Sequence, residues 1–297
     1  MALTNFDTAT IGQRAIPAAT AIFAPISAFS FKVEGASRLN TVKVPIIGAV
    51  ADGAEFNASS NNYFTDSATD DSTKSVILNL NPKSTFKYSI AEVNHMTEAT
   101  MQAKWASAIA GAAKTAMNNV FAKVLSSIFT NTALDINVAS FDGDSLIDLR
   151  ATLQAATGTT DQRLSFIGNS ALITALKKDS TLRTLFAQAG IIDPVSGSRL
   201  PIVDNTQIFQ ASVPTNSQTL QGFICDTSCL AVAFGYEEYA EAEGFSSTVV
   251  TDPVSGISMM LHEEREPGTK DIYFTAEVLQ GVVEADIKSL VRVIDTP

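Results

Sequence analysis

Between Thr97 and Phe129 apolar residues return every three or four positions. Trp105, Ile109, Ala112, Ala116, Val120 and Val124 share one side, while Lys104, Ser107, Gly111, Lys114 and Asn118 fall on another. The spacing predicts one long amphipathic helix over 97–129, capped by Thr97, with Glu98 in the first turn where a carboxylate suits the helix dipole. No proline follows until Pro194. At about 1.5 Å per residue this helix runs roughly 50 Å, longer than one compact core needs. It reads as a spar across a flat plate, with an ordinary long core helix as the alternative. Gly111 and the interspersed Lys and Ser argue against a transmembrane span.

Ahead of the helix the period changes to two. Residues 29–34 (FSFKVE) and 38–48 (RLNTVKVPIIG) alternate like strands, and residues 74–80 and 84–93 answer them as a second pair. Between lie residues 51–75, a polar segment whose only large apolar side chains are Phe56, Tyr63 and Phe64. Ordering it costs on the order of 25–50 kcal/mol of backbone entropy, whereas burying three such side chains returns roughly 5–9 kcal/mol. The segment therefore either stays mobile or is laid across a neighbouring molecule, with Phe56, Tyr63 and Phe64 as the anchors able to bury area there. The first thirty residues are apolar but interrupted by Pro17 and Pro25, and read as an extended arm that packs on something else.

After the helix short helices and strands alternate. Asp144 or Ser145 caps LIDLRATLQAA, LSFIG (164–168) is a short buried strand, Asn169 or Ser170 caps ALITALKK, and Gly190 stops TLRTLFAQAG. Asp-Pro-Val-Ser-Gly occurs twice, at Asp193–Gly197 and Asp252–Gly256, each time between apolar runs. Both read as hairpin turns in which Gly takes the left-handed position. The last third is rich in strands, and Gly281 between two of its apolar runs predicts a turn or bulge.

Composition narrows the function. The chain has 297 residues, 45% hydrophobic and 17% charged, enough for one large or two modest globular domains. Twenty basic against 31 acidic residues leave a formal charge of −11, which excludes an extensive basic surface for nucleic acid. A mildly repulsive wall is still compatible with containing a polyanion. The N-terminal residues lack a basic region followed by an apolar run, which predicts a soluble product. Cys225 and Cys229, with two distant histidines, make a poor zinc set and read as buried or free thiols. His262 in LHEEREPG lacks the second histidine of a zinc protease, and Glu263, Glu264 and Glu266 read as a solvated strand end or an ion-pair site between subunits. Asp142 and Asp144 lack the further ligands of a calcium loop and suit helix capping. No phosphate loop, nucleophile elbow or dinucleotide fingerprint occurs, so the chain reads as neither enzyme nor cofactor-binding protein.

The order of parts is arm, long hairpin, long helix, inserted α/β piece and a closing sheet that ends in GVVEADIKSLVRV. With SRLPIVDNTQIFQASVP followed by QGFICDTSCLAVAFG, this order resembles the major capsid proteins of tailed bacteriophages, the Hong Kong phage capsid fold that encapsulin shells also use. The resemblance implies an α+β chain with an N-terminal arm (1–31), an extended β-hairpin loop (32–90) that overlies a neighbour, and a spine helix that begins the peripheral domain (91–135). An axial domain (136–240) and closing strands of the peripheral domain (241–297) follow. It implies self-assembly into an icosahedral shell of pentamers and hexamers enclosing double-stranded viral DNA without sequence-specific binding. The location implied is the virion, assembled in the host cytoplasm. Portal and decoration proteins are further implied partners, and a sequence that starts directly with the arm implies a separate scaffolding protein, or none. Lys74 invites comparison with relatives that weld their shells through lysine, although a lysine in a polar loop reads more simply as a solvated charge. An encapsulin-type compartment is the alternative, and a low-oligomer α+β binding protein or enzyme the rival of a different class.

Overall fold

Thr97 accepts a hydrogen bond from the Thr100 backbone N–H and opens a helix of 26 residues, Glu98–Lys123, with Glu98 in its first turn and Lys123 in its last. The computed structural model describes residues 6–35, 39–46, 73–158, 163–180, 182, 199–203, 205–213, 220–237 and 245–295. In chain order the helices are α1 (Thr8–Ala15), α2 (Pro17–Phe23), α3 (Ile90–His95), α4 (Glu98–Lys123), α5 (Gly143–Thr157) and α6 (Ser170–Lys178). At about 39 Å, α4 is shorter than the predicted spar. Past Lys123 the chain tightens into turns, and these bring Phe129 into the core, only 3% exposed. Trp105, Ile109, Ala112, Ala116, Val120 and Val124 are all fully buried, and Lys104, Ser107 and Lys114 are exposed, as the periodicity predicts.

Two layers bury α4. On one side lies an antiparallel sheet of β11 (Phe245–Thr251), β12 (Ser258–Arg265), β13 (Asp271–Glu277) and β4 (Lys83–Ser89) in that order. Phe86 and Phe274 stack there at 4.9 Å, and the Trp105 ring meets both edge-on at 5.4 and 5.8 Å. Beside it α1 and α2 contribute Ile11, Ala15, Ala19 and Phe23 to the same core, and Gly12 of α1 lies against Leu261 and Val250 of the sheet. The N-terminal segment is thus helical and packed on its own chain, not the extended arm expected from its prolines. Pro17 stands in the first turn of α2 and Pro25 in that of the 3-10 turn Ala24–Ala28, where the missing N–H costs nothing.

The strands before α4 also part company. β2 (Thr41–Pro45) and β3 (Thr73–Ile77) pair antiparallel, but β1 (Ser30–Val33) joins a different sheet, parallel to β10 (Leu230–Gly235), whose other neighbour is β14 (Leu279–Glu284). The run 84–93 is a strand only as far as Ser89. Ser89 and Glu92 then form a reciprocal cap that turns 90–95 into α3.

The third large sheet is six-stranded, ordered β5 (Leu134–Ile136), β15 (Leu290–Asp295), β9 (Leu220–Cys225), β6 (Leu164–Gly168), β8 (Thr206–Gln210) and β7 (Arg199–Val203). One face carries Phe166, Ile208, Ile224 and Val291 against Leu146, Leu149 and Leu153 of α5 and Leu172 and Leu176 of α6. The other carries Ile167, Phe209 and Phe223 into the α4 core. Strand β6 is buried at every position for this reason, and LSFIG reads as an unbroken apolar run. Asp142, not Asp144 or Ser145, caps α5, and Asn169 caps α6. Gly190 and the Asp193–Gly197 turn lie outside the described residues.

Two crossovers join the six-stranded sheet to the three-stranded one, β9 to β10 and β14 to β15. They hydrogen-bond to each other: Asp226 N–H to Ser289 O (3.0 Å), Ala285 N–H to Cys229 O (3.0 Å) and Asp286 N–H to Ser228 O (3.1 Å). The Ser228 hydroxyl sits between the Asp226 carboxylate and Ser289 Oγ, each at 2.8 Å. Strands of the six-stranded sheet therefore come from both sides of residue 240, and β15 adds Leu290 to the α4 core.

Gly281 is neither turn nor bulge. It pairs in register with Ala233 in the middle of β14, and a Cβ there would lie 2.3 Å from the carbonyl oxygen of Ile77. The residue is small because the β2–β3 ribbon crosses its face in near contact. We expect Gly281→Ala to destabilise the protein by about 1–3 kcal/mol, because backbone cannot rotate out of the way. Chemical denaturation checks this; an unchanged midpoint removes the close approach from the account.

Candidate assembly surfaces

The ribbon of β2 and β3 brackets residues 47–72 in the chain. Its two faces differ by strand alternation. Val42, Val44, Val76 and Leu78 are buried on Ala231 and Ala233 of β10, whereas Thr41, Lys43, Thr73 and Ser75 point away and are exposed. Small residues at 231, 233 and 281 let the ribbon seat closely. Two large apolar side chains stay uncovered beside this ribbon, Leu39 at 69% and Ile77 at 49% exposure, held together by Leu39 N–H on Leu78 O (2.8 Å). Lys74 stands half-buried opposite Val44. Phe56, Tyr63 and Phe64, the anchors expected from the sequence, lie outside the described residues.

A second projecting element is the Asp252–Gly256 turn, which joins β11 to β12 as the sequence predicts, with Gly256 at φ +72°. Val254 at its tip is 75% exposed. Asp252 beneath it is buried, accepting from Ser255 N–H (2.9 Å), Ser255 Oγ (2.5 Å) and Thr20 Oγ1 (2.6 Å) of α2. Burial opposes its charge, but these hydrogen bonds prevail and hold the carboxyl below the usual aspartate range. The turn is thereby locked to the N-terminal helices.

The groups with catalytic or metal-binding chemistry have structural surroundings. Cys225 and Cys229 are buried in the core, and burial, followed by the neighbouring Cys225 thiol, pushes Cys229 well above the ordinary thiol range. His262 stacks on Phe245 at 5.4 Å, and its burial lowers its pKa against the pull of Glu277 and Glu264. The acidic run after it alternates. Glu263 points inward at 3% exposure and accepts from the Thr8 hydroxyl, correcting the solvated strand end expected for it. Glu264 and Glu266 face solvent, Glu266 accepting from Tyr273 Oη at 3.1 Å. Asp142 spends its carboxylate on Ser145, which lowers its pKa. Among the described residues no three His, Cys, Asp or Glu side chains gather as a metal site, and no helix is long and apolar enough to cross a membrane.

With this geometry in hand, three solved structures bear on the fold. A chain of the virus-like particle from Pyrococcus furiosus superposes with a TM-score of 0.55 at 14% identity, over 97% of this chain and 100% of that one. A chain of Gordonia phage Cozz gives 0.54 at 14% identity over 96% and 87%. The chain has a phage-capsid-like α+β fold. A chain from the head structure of Helicobacter pylori bacteriophage KHP40 gives 0.50 at 10% identity over 94% and 91%. No protein-family model matches the sequence, and no curated protein is significantly similar to it.

In this capsid-like fold the sequence pointed to the ribbon and the turn but missed their seats. Ala231, Ala233 and Gly281 carry no signal until the ribbon is laid over them, and the Thr20–Asp252 contact joins residues 232 positions apart. Asp252→Asn is expected to lower stability by roughly 1–2 kcal/mol at neutral pH. Because the folded pKa is depressed, this contribution is complete above the ordinary aspartate value near about 4 and is lost as pH falls through the folded value. Thermal melts of the two proteins from pH 7 to pH 3 should converge at the acidic end; a constant gap assigns the loss to packing instead.

Proposed function

We propose that this chain is a structural, non-enzymatic shell protein whose activity is self-assembly into a closed icosahedral particle of pentamers and hexamers. The observation that carries the reading is the likeness of fold, over nearly the whole chain, to a virus-like particle and to phage chains. In this reading residues 32–90 are an extended loop that overlies a neighbouring copy, with Phe56, Tyr63 and Phe64 as its anchors. Residues 91–135 and 241–297 form the peripheral part and 136–240 the axial part around the vertices, with β15 lending its edge to the axial sheet. Each contact is modest, and the repeated, heterologous network closes the shell. The contents are double-stranded DNA, held without sequence-specific binding by a wall of formal charge −11. The location is the virion, after assembly in the host cytoplasm, and scaffolding, portal and decoration proteins are further partners.

A second reading, a compartment built around a protein cargo instead of a genome, draws support from the virus-like particle, all of whose length this chain spans.

Negative-stain electron microscopy with light scattering on the purified protein tests the class. Uniform closed shells tens of nanometres across, or five- and sixfold rings, support it, and a monodisperse species of one to four chains under every condition rejects it. Replacing residues 47–72 by a short turn keeps the β2–β3 ribbon intact. We expect a folded protomer with an unchanged melting temperature that makes no particles; normal shells from that variant would sink the role of the loop.

A further inference from the structure

Along β6 alternate residues face opposite ways: Phe166 packs on α5 and α6, and Ile167 on the α4 core. Toward the start of the strand the side shared with Ile167 turns polar. Ser165 and its neighbour on β8, Gln207, are only 5% and 4% exposed. Arg163 stands exposed just before the strand, and its Nη2 donates to Gln207 Oε1 at 2.9 Å.

Donors are in excess at this corner. The Gln207 amide spends its oxygen on Arg163, while its buried Nε2 has no hydrogen-bond partner. Arg163 spends one of its N–H groups on Gln207, and among the described residues no carboxylate pairs with it. A glutamine more than nine-tenths buried with an unmet donor is rare, because the donor has given up water for nothing in return. The amide and the guanidinium are joined by one hydrogen bond, so an acceptor with two oxygens can take a bond from each. A carboxylate has that form, accepts without donating, and brings one negative charge to one guanidinium. A phosphate brings up to two and leaves one unmatched in a chain of formal charge −11.

We infer that Arg163 and Gln207, with the Ser165 hydroxyl beside them, form a carboxylate-binding site. The ligand comes from one of two sources, a free carboxylate anion or an acidic side chain of a second copy. The chain's own α5 offers Asp144 and Asp148, exposed and without an ion-pair partner among the described residues. They lie across the six-stranded sheet from Arg163, since α5 packs on the face that carries Phe166 and Ile208. One chain therefore cannot fill its site from its own α5, whereas a second copy can. The site stands apart from the shell reading; its filling by a second copy rests on that reading.

Sodium acetate is the probe, with sodium chloride at equal ionic strength as the reference, on the full chain below the concentration at which it assembles. Acetate is expected to raise the wild-type melting temperature by about 2–4 °C over chloride. Arg163→Gln and Gln207→Leu should each lose that response. In chloride Gln207→Leu should melt no lower than wild type, because leucine removes the unmet donor at similar volume. Arg163→Gln, at an exposed position, keeps the test open should the leucine variant fail to fold. The same acetate response in wild type and variants overturns the site, as does no response in any of them. The source is read from assembly. With a second copy as donor, Arg163→Gln, and Asp144→Asn with Asp148→Asn, each raise the concentration at which particles form by about tenfold, and acetate raises the wild-type onset. A site-specific acetate response with wild-type onset in every variant assigns the site to a free carboxylate and overturns the second copy as its source. A wild-type protein that never assembles rejects the shell reading, and the melting comparison still decides the site.

Discussion

Along α4, ten side chains from Met101 to Phe121 are buried between two layers that are otherwise far apart in the sequence. The β11-β12-β13-β4 sheet supplies Phe86 and Phe274, α1 supplies Ile11 and Ala15, and α2 supplies Ala19 and Phe23. Removing a large aromatic from such a site costs about 3–5 kcal/mol, because the layers cannot collapse onto the space it leaves. The helix is thus the straight edge that aligns both ends of the chain. Gln280, fully buried, extends its hold: its Nε2 donates to Ala116 O at 3.0 Å while its backbone bridges to Leu80, just beyond β3.

Two further constraints set how the parts stand relative to each other. The paired crossovers at 226–229 and 285–289 carry both connections between the six-stranded and three-stranded sheets, and a buried set of hydroxyls and carboxylates links them. Satisfied polar groups in a dry site favour one geometry over its neighbours. The seat of the β2–β3 ribbon is the second constraint, with glycine and alanine where any larger side chain would lift the ribbon away. The positions of Pro45 and Thr73, between which residues 47–72 run in sequence, are therefore set by well-packed core.

This division suits assembly. A protomer whose core is complete without its neighbours can stay folded before it associates, and its contacts with other copies can be individually weak.

Local physics was legible where one element decided it. The 3.6-residue period placed the buried face of α4, an all-apolar pentapeptide marked β6, and Asp-Pro-Val-Ser-Gly marked the β11–β12 turn. Pro17 and Pro25 misled because a proline that breaks a helix also starts one, and only the α4 surface beneath shows that the N-terminal segment continues as helix. Residues 84–93 read as one strand because the cap at Ser89 adds no apolar signal. Strand partnership was beyond the sequence altogether: β1 finds β10 some two hundred residues away, and β15 crosses to the six-stranded sheet beside β9. Periodicity records which face of a segment is apolar, and so the sequence by itself determined the long helix, strand β6, the β11–β12 turn and their buried sides. Which faces meet depends on shape at long range, so only the tertiary structure decided the sheets, the seat at Gly281 and the opposition of ribbon and helix across one sheet.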